Sequence, residues 1–161
     1  MIKLLRVDHR LLHGQVAFSW TQFLGVDCIL ISNDNLINDE LRKTTIKLAK
    51  PQGVKVVMKN INDSIEALNS GVTDKYRLFV IVESIGDAEK LIKGTGGKFK
   101  ELNLGGTLVR EGTRNISQAI NVTQDEEIIL KNLIDSGVIV EIKQIPSDVS
   151  LMAKDLLNLF Y

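Results

Sequence analysis

Two hydrophobic rhythms alternate along this chain. Short, almost wholly apolar runs at residues 2–7, 26–31, 54–58, 78–82, 102–104 and 138–142 read as strands, the pattern a sheet buried on both faces requires. Between them, apolar positions recur three and four apart, the spacing of a helix with one buried face. Val16, Ala17, Trp20, Phe23 and Leu24 stripe the first helix, and Gly25 is placed to cap it. A second helix spans about residues 39–50 and stops at Pro51 and Gly53. Ile61, Ile65 and Leu68 mark a short third one, closed by Gly71.

The second half has clearer punctuation. Ser84-x-x-Asp87 and Thr123-x-x-Glu126 have the form of capping boxes. The first opens a helix that buries Ile85, Ala88, Leu91 and Ile92; the second opens one running through Leu130, Leu133 and Ile134 to Gly137. Residues 107–114 are polar and irregular and lead to a short strand at 119–122, which is free to run antiparallel. After Pro146, Ser147 is placed to cap a final helix with Val149, Met152, Leu156 and Leu159 on one face. Strands alternating with helices predict an α/β fold: an open, mostly parallel sheet of about six to seven strands, with helices on both faces. No linker, repeat or low-complexity tract divides residues 1–161, so one domain is expected.

Composition narrows the function. Twenty basic residues balance twenty acidic ones, which gives no electrostatic footprint for nucleic acid. No apolar run approaches the ~18 residues of a membrane span, and residues 1–3 do not open a signal peptide. The single cysteine, Cys28, lies in an apolar run and excludes a disulfide framework and a cysteine zinc site. A cytoplasmic protein is expected.

The candidate chemistry lies in one stretch, residues 6–16, R-V-D-H-R-L-L-H-G-Q-V, between the first strand and the first helix. Both histidines of the chain, His9 and His13, are there, with Arg6 and Arg10. That junction, at the carboxyl end of a strand, is where open α/β sheets bind ligands. His13 precedes the helix start, whose free N–H groups and dipole favour an anion. Arg10 offers a planar fork for phosphate, and Gly14 lets the backbone come close to a ligand. A histidine nitrogen beside an anion cradle is what accepting and passing on a phosphoryl group needs; the alternative is a histidine that caps or packs.

Other residues have open readings. His9 alone reads as a solvated loop residue. Asp8 either bonds its own turn or orients Arg10 or an imidazole. Gln15 is either a first-turn polar residue or part of the site. Gly105-Gly106 follows a strand and is either a plain turn or part of the same carboxyl edge, close to His13. Gly94-Thr95-Gly96-Gly97-Lys98 is no phosphate loop, because it lacks the glycine spacing and has Phe99 where Ser or Thr must follow the lysine. Asp34, Asp39 and Glu40 read as a solvated helix start rather than a metal site.

The stretch R-V-D-H-R-L-L-H-G-Q-V closely resembles the signature of the mannose/fructose/sorbose family of phosphotransferase-system IIB components. The resemblance extends through Ser32-Asn33-Asp34, Leu41-Arg42-Lys43-Thr44, Pro51-Gln52-Gly53-Val54, Leu102-Asn103-Leu104-Gly105-Gly106 and Arg110-Glu111-Gly112. It implies the same open α/β fold and a phosphorylated histidine at His13, modified at Nδ1 without a metal or cofactor. By the same match Asp8, Arg10, Gly14 and Gln15 belong to the phosphoryl-binding loop; Gly106, at a strand end expected on the same edge, is placed in the cradle with them. The implied partners are a IIA phosphocarrier, the membrane components IIC and IID, and the sugar being transported. The implied place is the cytoplasm, at the membrane transporter; self-association is left open. His9 departs from the family's usual acidic or small polar residue and is assigned a modulating role. The D-H-R-L-L-H form looks most like IIB components of amino-sugar transporters. Two competing functions are a non-catalytic module of the same fold that binds an anion or a phosphorylated partner, and a nucleotide-binding protein. The latter lacks a glycine fingerprint.

Overall fold

The computed structural model describes residues 1–158. Eight strands and five helices follow in order: β1 (Ile2–Asp8), α1 (Gly14–Leu24), β2 (Cys28–Ser32), α2 (Glu40–Leu48), β3 (Lys55–Lys59), α3 (Ile61–Ser70), β4 (Leu78–Val82), α4 (Ile85–Gly94), β5 (Glu101–Gly106), β6 (Arg114–Ser117), β7 (Ile120–Val122), α5 (Gln124–Asp135) and β8 (Ile139–Ile142). A ninth short strand, β9 (Leu151–Met152), and a 3-10 turn at Ala153–Asp155 end the described chain. The main sheet has seven strands in the order β3-β2-β4-β1-β5-β8-β9. Every pairing in it is parallel except β8 with β9.

The apolar strands work because alternate side chains serve opposite faces. In β2, Cys28 and Leu30 join one core cluster while Ile29 and Ile31 join the other. In β4, Leu78, Val80 and Val82 face the first cluster, and Phe79 and Ile81 the second. Helices α3, α4 and α5 cover the first cluster through Ile61 and Leu68, Ile85 and Leu91, and Leu130 and Leu133. Helices α1 and α2 cover the second through Ala17, Trp20 and Ile46. No helix of the described residues is long and apolar enough to cross a membrane.

Local signals act as expected at most helix ends. Gly25 caps α1 in the left-handed region (φ 64°), and Thr123 and Glu126 form a reciprocal capping box on α5. Ser84 caps α4 by accepting from the Asp87 amide.

Three expectations need correction. Phe23 is 65% exposed and leaves the apolar stripe of α1, its ring set edge-to-face against Trp20 with centroids 6.1 Å apart. Residues 114–117 form a strand that the polar composition concealed; β6 pairs antiparallel with β7 as a separate ribbon. Its turn places Ala119 at φ 65°, where sequence reasoning looks for glycine or asparagine. Arg114 of that ribbon pairs with the buried Glu127 of α5. The final helix from Ser147 does not form. Asp148 instead accepts from the Gln144 and Ile145 amides (3.1 and 3.2 Å), closing a turn, and β9 then pairs with β8. Val149 is exposed, so the supposed apolar face is spacing without burial; covering the open edge of β8 takes precedence. Leu159 lies outside the described residues.

Candidate functional site

The site grows from the alternation of β1. Leu4 lies in the cluster under α1 and α2, and its same-face successors are Arg6 and Asp8. Arg6 is 2% exposed, and each of its two terminal nitrogens meets two acceptors. Its Nη1 donates to Asn103 Oδ1 (2.6 Å) and the Lys143 carbonyl (3.0 Å). Its Nη2 donates to Asp8 Oδ2 (3.1 Å) and the Gln144 carbonyl (3.0 Å). The guanidinium carbon lies 5.3 Å from the centroid of the Trp20 ring, whose Nε1 donates to the same Gln144 carbonyl (2.9 Å). Gly105 makes room for this: a Cβ there would stand 2.0 Å from Arg6 Cζ.

Asp8 is the next link. It is 1% exposed and accepts from Arg6, from the Arg10 amide (3.0 Å to Oδ1), and from Arg10 Nε (3.1 Å to Oδ1) and Nη2 (3.1 Å to Oδ2). Burial pushes the carboxyl upward, but the Arg10 hydrogen bonds and the charges of Arg6 and Arg10 outweigh it and hold Asp8 below the usual carboxylate range. Burial also lowers Arg6 from its ordinary value, against the opposing pull of Asp8. A depressed folded pKa means that Asp8 stabilises the fold above its unfolded value of about 3.9. That contribution is lost as pH falls through the lower folded value. Asp8→Asn is therefore expected to be less stable than wild type at neutral pH, with the difference shrinking toward acid pH; denaturant midpoints across the acid range measure it.

The loop after Asp8 is folded by two leucines. The Leu11 amide donates to the Asp8 carbonyl (2.9 Å), and Leu11 takes φ 59°, a left-handed conformation that costs a side-chain-bearing residue about 1–2 kcal/mol. Leu11 and Leu12 are 2% and 3% exposed, packed in the cluster of Ala17 and Trp20. Burying a leucine side chain contributes about 1.5–3 kcal/mol, so the two pegs more than offset the strain.

With the leucines turned inward, His13, Gly14 and Gln15 stand exposed. His13 is the N-cap of α1: its carbonyl accepts from the Ala17 amide (3.0 Å), and no side chain caps the first turn. Helical geometry leaves the amides of Gly14, Gln15 and Val16 without intrahelical partners, and no acidic residue competes in that turn. No hydrogen bond joins the His13 imidazole to another described residue. The arrangement is an exposed imidazole beside free donors and a braced guanidinium, suited to holding an anion on the histidine.

His9 departs from the solvated reading. Its amide donates to the Gly106 carbonyl (3.1 Å), and its carbonyl accepts from Arg42 Nη2 (3.2 Å). Its Nδ1 is buried without a partner. A Cβ on Gly106 would lie 3.4 Å from that nitrogen and 3.6 Å from Asp8 Oδ1. Of the Gly105-Gly106 pair at the end of β5, Gly106 packs on His9 and Asp8, and Gly105 on Arg6. Beside His9 opens a cleft of about 370 Å³, walled by Glu83, Ser84, Leu108, Arg110 and Glu126.

Asp8 and Arg10 are thus joined in one ion network, while His13, Gly14 and Gln15 share the exposed tip. Sequence reasoning missed Arg6 as a buried brace, its partner Asn103, and the Arg42–Glu83 pair (2.8 Å) that reaches the loop through the His9 carbonyl. The signal for the first two was present: Arg6 and Asn103 are the polar residues that interrupt two apolar strands, and they are register partners. Among the described residues no cluster of metal-ligating side chains occurs.

Comparison with known proteins gives a consistent set of relatives. A family model described as the PTS system sorbose subfamily IIB component matches residues 2–160. The PTS system sorbose-specific EIIB component of Lacticaseibacillus casei is 31% identical over 150 residues, 93% of this chain and 91% of that protein. The PTS system mannose-specific EIIAB component of Escherichia coli (strain K12) is 30% identical over 158 residues, 98% of this chain but 49% of that protein. The chain thus spans about half the length of that relative. The crystal structure of the IIBSor domain of the sorbose permease from Klebsiella pneumoniae superposes with a TM-score of 0.90 at 27% identity, covering 96% of this chain and 94% of that one.

Proposed function

This chain belongs to the sorbose subfamily of phosphotransferase-system IIB components, and from that premise we propose that it takes a phosphoryl group on His13 from a IIA phosphohistidine and passes it to a sugar. The observation that supports the reading is the exposed, uncapped His13 at the start of α1. In the first step the donor's N–P bond breaks as an imidazole nitrogen of His13 bonds to phosphorus. In the second step that N–P bond breaks, a sugar oxygen bonds to phosphorus, and the hydroxyl proton leaves. Charge on the phosphoryl oxygens is held by the first-turn amides and by Arg10. Asp8 engages Nε and Nη2 of Arg10, so Nη1 is the prong left for phosphate. Gly14, at φ 32°, keeps the backbone open at the point of closest approach.

In this reading the whole chain works as one IIB unit in the cytoplasm, docking on membrane components IIC and IID and receiving phosphate from IIA. A relative whose name joins A and B components in one protein supports the IIA partnership. The test is a mass measurement after incubation with phosphoenolpyruvate, the general phosphotransferase proteins and a IIA partner. Gain of one acid-labile phosphate is expected; no gain would leave the non-catalytic anion-binding reading in its place.

Arg10→Lys is expected to fold normally and to slow transfer by about 10²–10³, the loss typical of one positioned donor. A lysine keeps the charge but not the fork that Asp8 orients. Single-turnover transfer from phosphorylated IIA measures it, and an unchanged rate removes Arg10 from the cradle.

A further inference from the structure

Two basic residues stand side by side near the start of α2, and they behave differently. Lys43 pairs with Glu40 of its own helix (3.4 Å), an exposed pair of the kind that adds little to stability. Arg42 reaches away from the helix. Its Nη2 donates to the His9 carbonyl (3.2 Å) and pairs with Glu83 Oε2, just past the end of β4 (2.8 Å). The root of the side chain is fixed as well, because Asp39 Oδ1 accepts from the Arg42 amide (3.0 Å). One guanidinium therefore ties α2 and the end of β4 to the loop that follows β1.

The peptide it holds is the one that leads into Arg10. The oxygen of the His9–Arg10 peptide accepts from Arg42, and its N–H donates to Asp8 Oδ1 (3.0 Å). The preceding peptide is held too, by the His9 amide on the Gly106 carbonyl (3.1 Å). Rotation of the His9–Arg10 peptide plane would break both of its hydrogen bonds, and that plane sets the direction in which the Arg10 side chain leaves the backbone. Asp8 Oδ1 also receives Arg10 Nε (3.1 Å), so a peptide turned away from Asp8 takes the fork with it. Leu11 follows at φ 59°, a strained conformation from which the loop would relax if its entry were free.

We propose that Arg42, held by Glu83, is a positioning residue for phosphoryl transfer: it clamps the His9–Arg10 peptide and so keeps Arg10 Nη1 aimed at the phosphoryl group. The proposal rests on the reading of His13 as phosphoryl carrier with Arg10 in its cradle. Arg42 acts through Arg10 and touches no phosphoryl oxygen itself. Its contribution therefore vanishes when Arg10 no longer has a fork to aim. Glu83 acts one step further back, by steering Arg42, so its loss costs less.

The test measures single-turnover transfer from phosphorylated IIA to Arg42→Met, Glu83→Ala, Arg10→Lys and the double variant Arg10→Lys with Arg42→Met. Arg42→Met is expected to slow transfer by about 10–10²-fold, the cost of a misplaced group, with a urea midpoint close to wild type and a smaller loss in Glu83→Ala. In the Arg10→Lys background, Arg42→Met should slow transfer by no more than about twofold further. A second readout needs no transfer: the proton–nitrogen NMR signal of Arg10 Nε, bonded to Asp8, should lose its protection from water exchange in Arg42→Met. Equal slowing in both backgrounds overturns the proposal, since Arg42 would then meet the phosphoryl group or the donor protein directly. An unchanged rate in Arg42→Met, or an Arg10 Nε signal that keeps its protection, overturns it too. Should Arg42→Met fail to fold, Glu83→Ala carries the same cycle and the same NMR readout. Failure of the wild-type chain to gain phosphate overturns the carrier reading instead, and the Arg10 Nε signal still decides whether Arg42 holds the loop.

Discussion

Gly105→Ala is expected to lower stability by about 3–5 kcal/mol, the range seen when a buried ion pair is broken. The residue is the extra one where the β1–β5 register shifts, between Leu104 opposite Val7 and Gly106 opposite Asp8, but its φ is not left-handed, so backbone conformation does not demand glycine there. The demand comes from Arg6. The added methyl would sit 2.0 Å from the guanidinium carbon and 2.2–2.4 Å from its nitrogens, and the group has nowhere to retreat. Trp20 lies beside it, and Asn103, Asp8 and two carbonyls hold both of its terminal nitrogens. Either Arg6 leaves, abandoning a buried carboxylate and two carbonyls, or β5 shifts away from β1. Urea unfolding gives the magnitude, and a double-mutant cycle gives the cause. In an Arg6→Met background, where the planar group is gone, the further cost of Gly105→Ala should fall markedly. A loss below about 1 kcal/mol in the wild-type background would show that Arg6 can shift freely, and the bracing role would fall with it.

That brace shows where sequence reasoning stops. Strand runs and helix stripes placed the parallel sheet with helices on both faces, because burial on two faces leaves a continuous apolar signature. Capping residues such as Thr123 and Gly25 worked because their physics is local. The R-V-D-H-R-L-L-H-G-Q-V stretch marked the junction where the loop sits. What was not legible depends on contacts distant in the chain. Arg6 reads as an ordinary strand-edge charge until Asn103 and the carbonyls of Lys143 and Gln144 close around it. Gly105 reads as a turn glycine until Arg6 is seen beneath it. Leu11 gives no sign of φ 59°, since leucine rarely adopts it and only the packing of both leucines holds it there. The terminal segment failed for the opposite reason: Val149, Met152 and Leu156 have helical spacing, but turn formation by Asp148 and edge pairing with β8 outrank spacing alone.

Removal of His13 should have the largest functional effect. His13→Ala is expected to abolish acid-labile phosphate, whereas His9→Ala should keep it at a reduced rate. The two imidazoles differ in surroundings rather than chemistry. His13 is exposed, has no hydrogen-bond partner among the described residues, and caps a turn whose amides are unclaimed, so an incoming phosphoryl group meets donors at once. His9 has its backbone clamped on both sides, by the Gly106 carbonyl and by Arg42, and its Nδ1 is buried against Gly106. Phosphorylating that nitrogen would require the strand ends to part, since not even a methyl on Gly106 would have more than 3.4 Å of clearance from it. Loss of the His9 side chain opens a gap at the base of the loop and slackens Asp8 and Arg10 beside it, which slows transfer without removing the acceptor. Mass spectrometry of both variants after incubation with phosphorylated IIA, with mapping of the labile phosphate, decides between them. One phosphate per chain on His13→Ala, mapped to His9, would reverse the assignment and make the half-buried His9 imidazole the carrier.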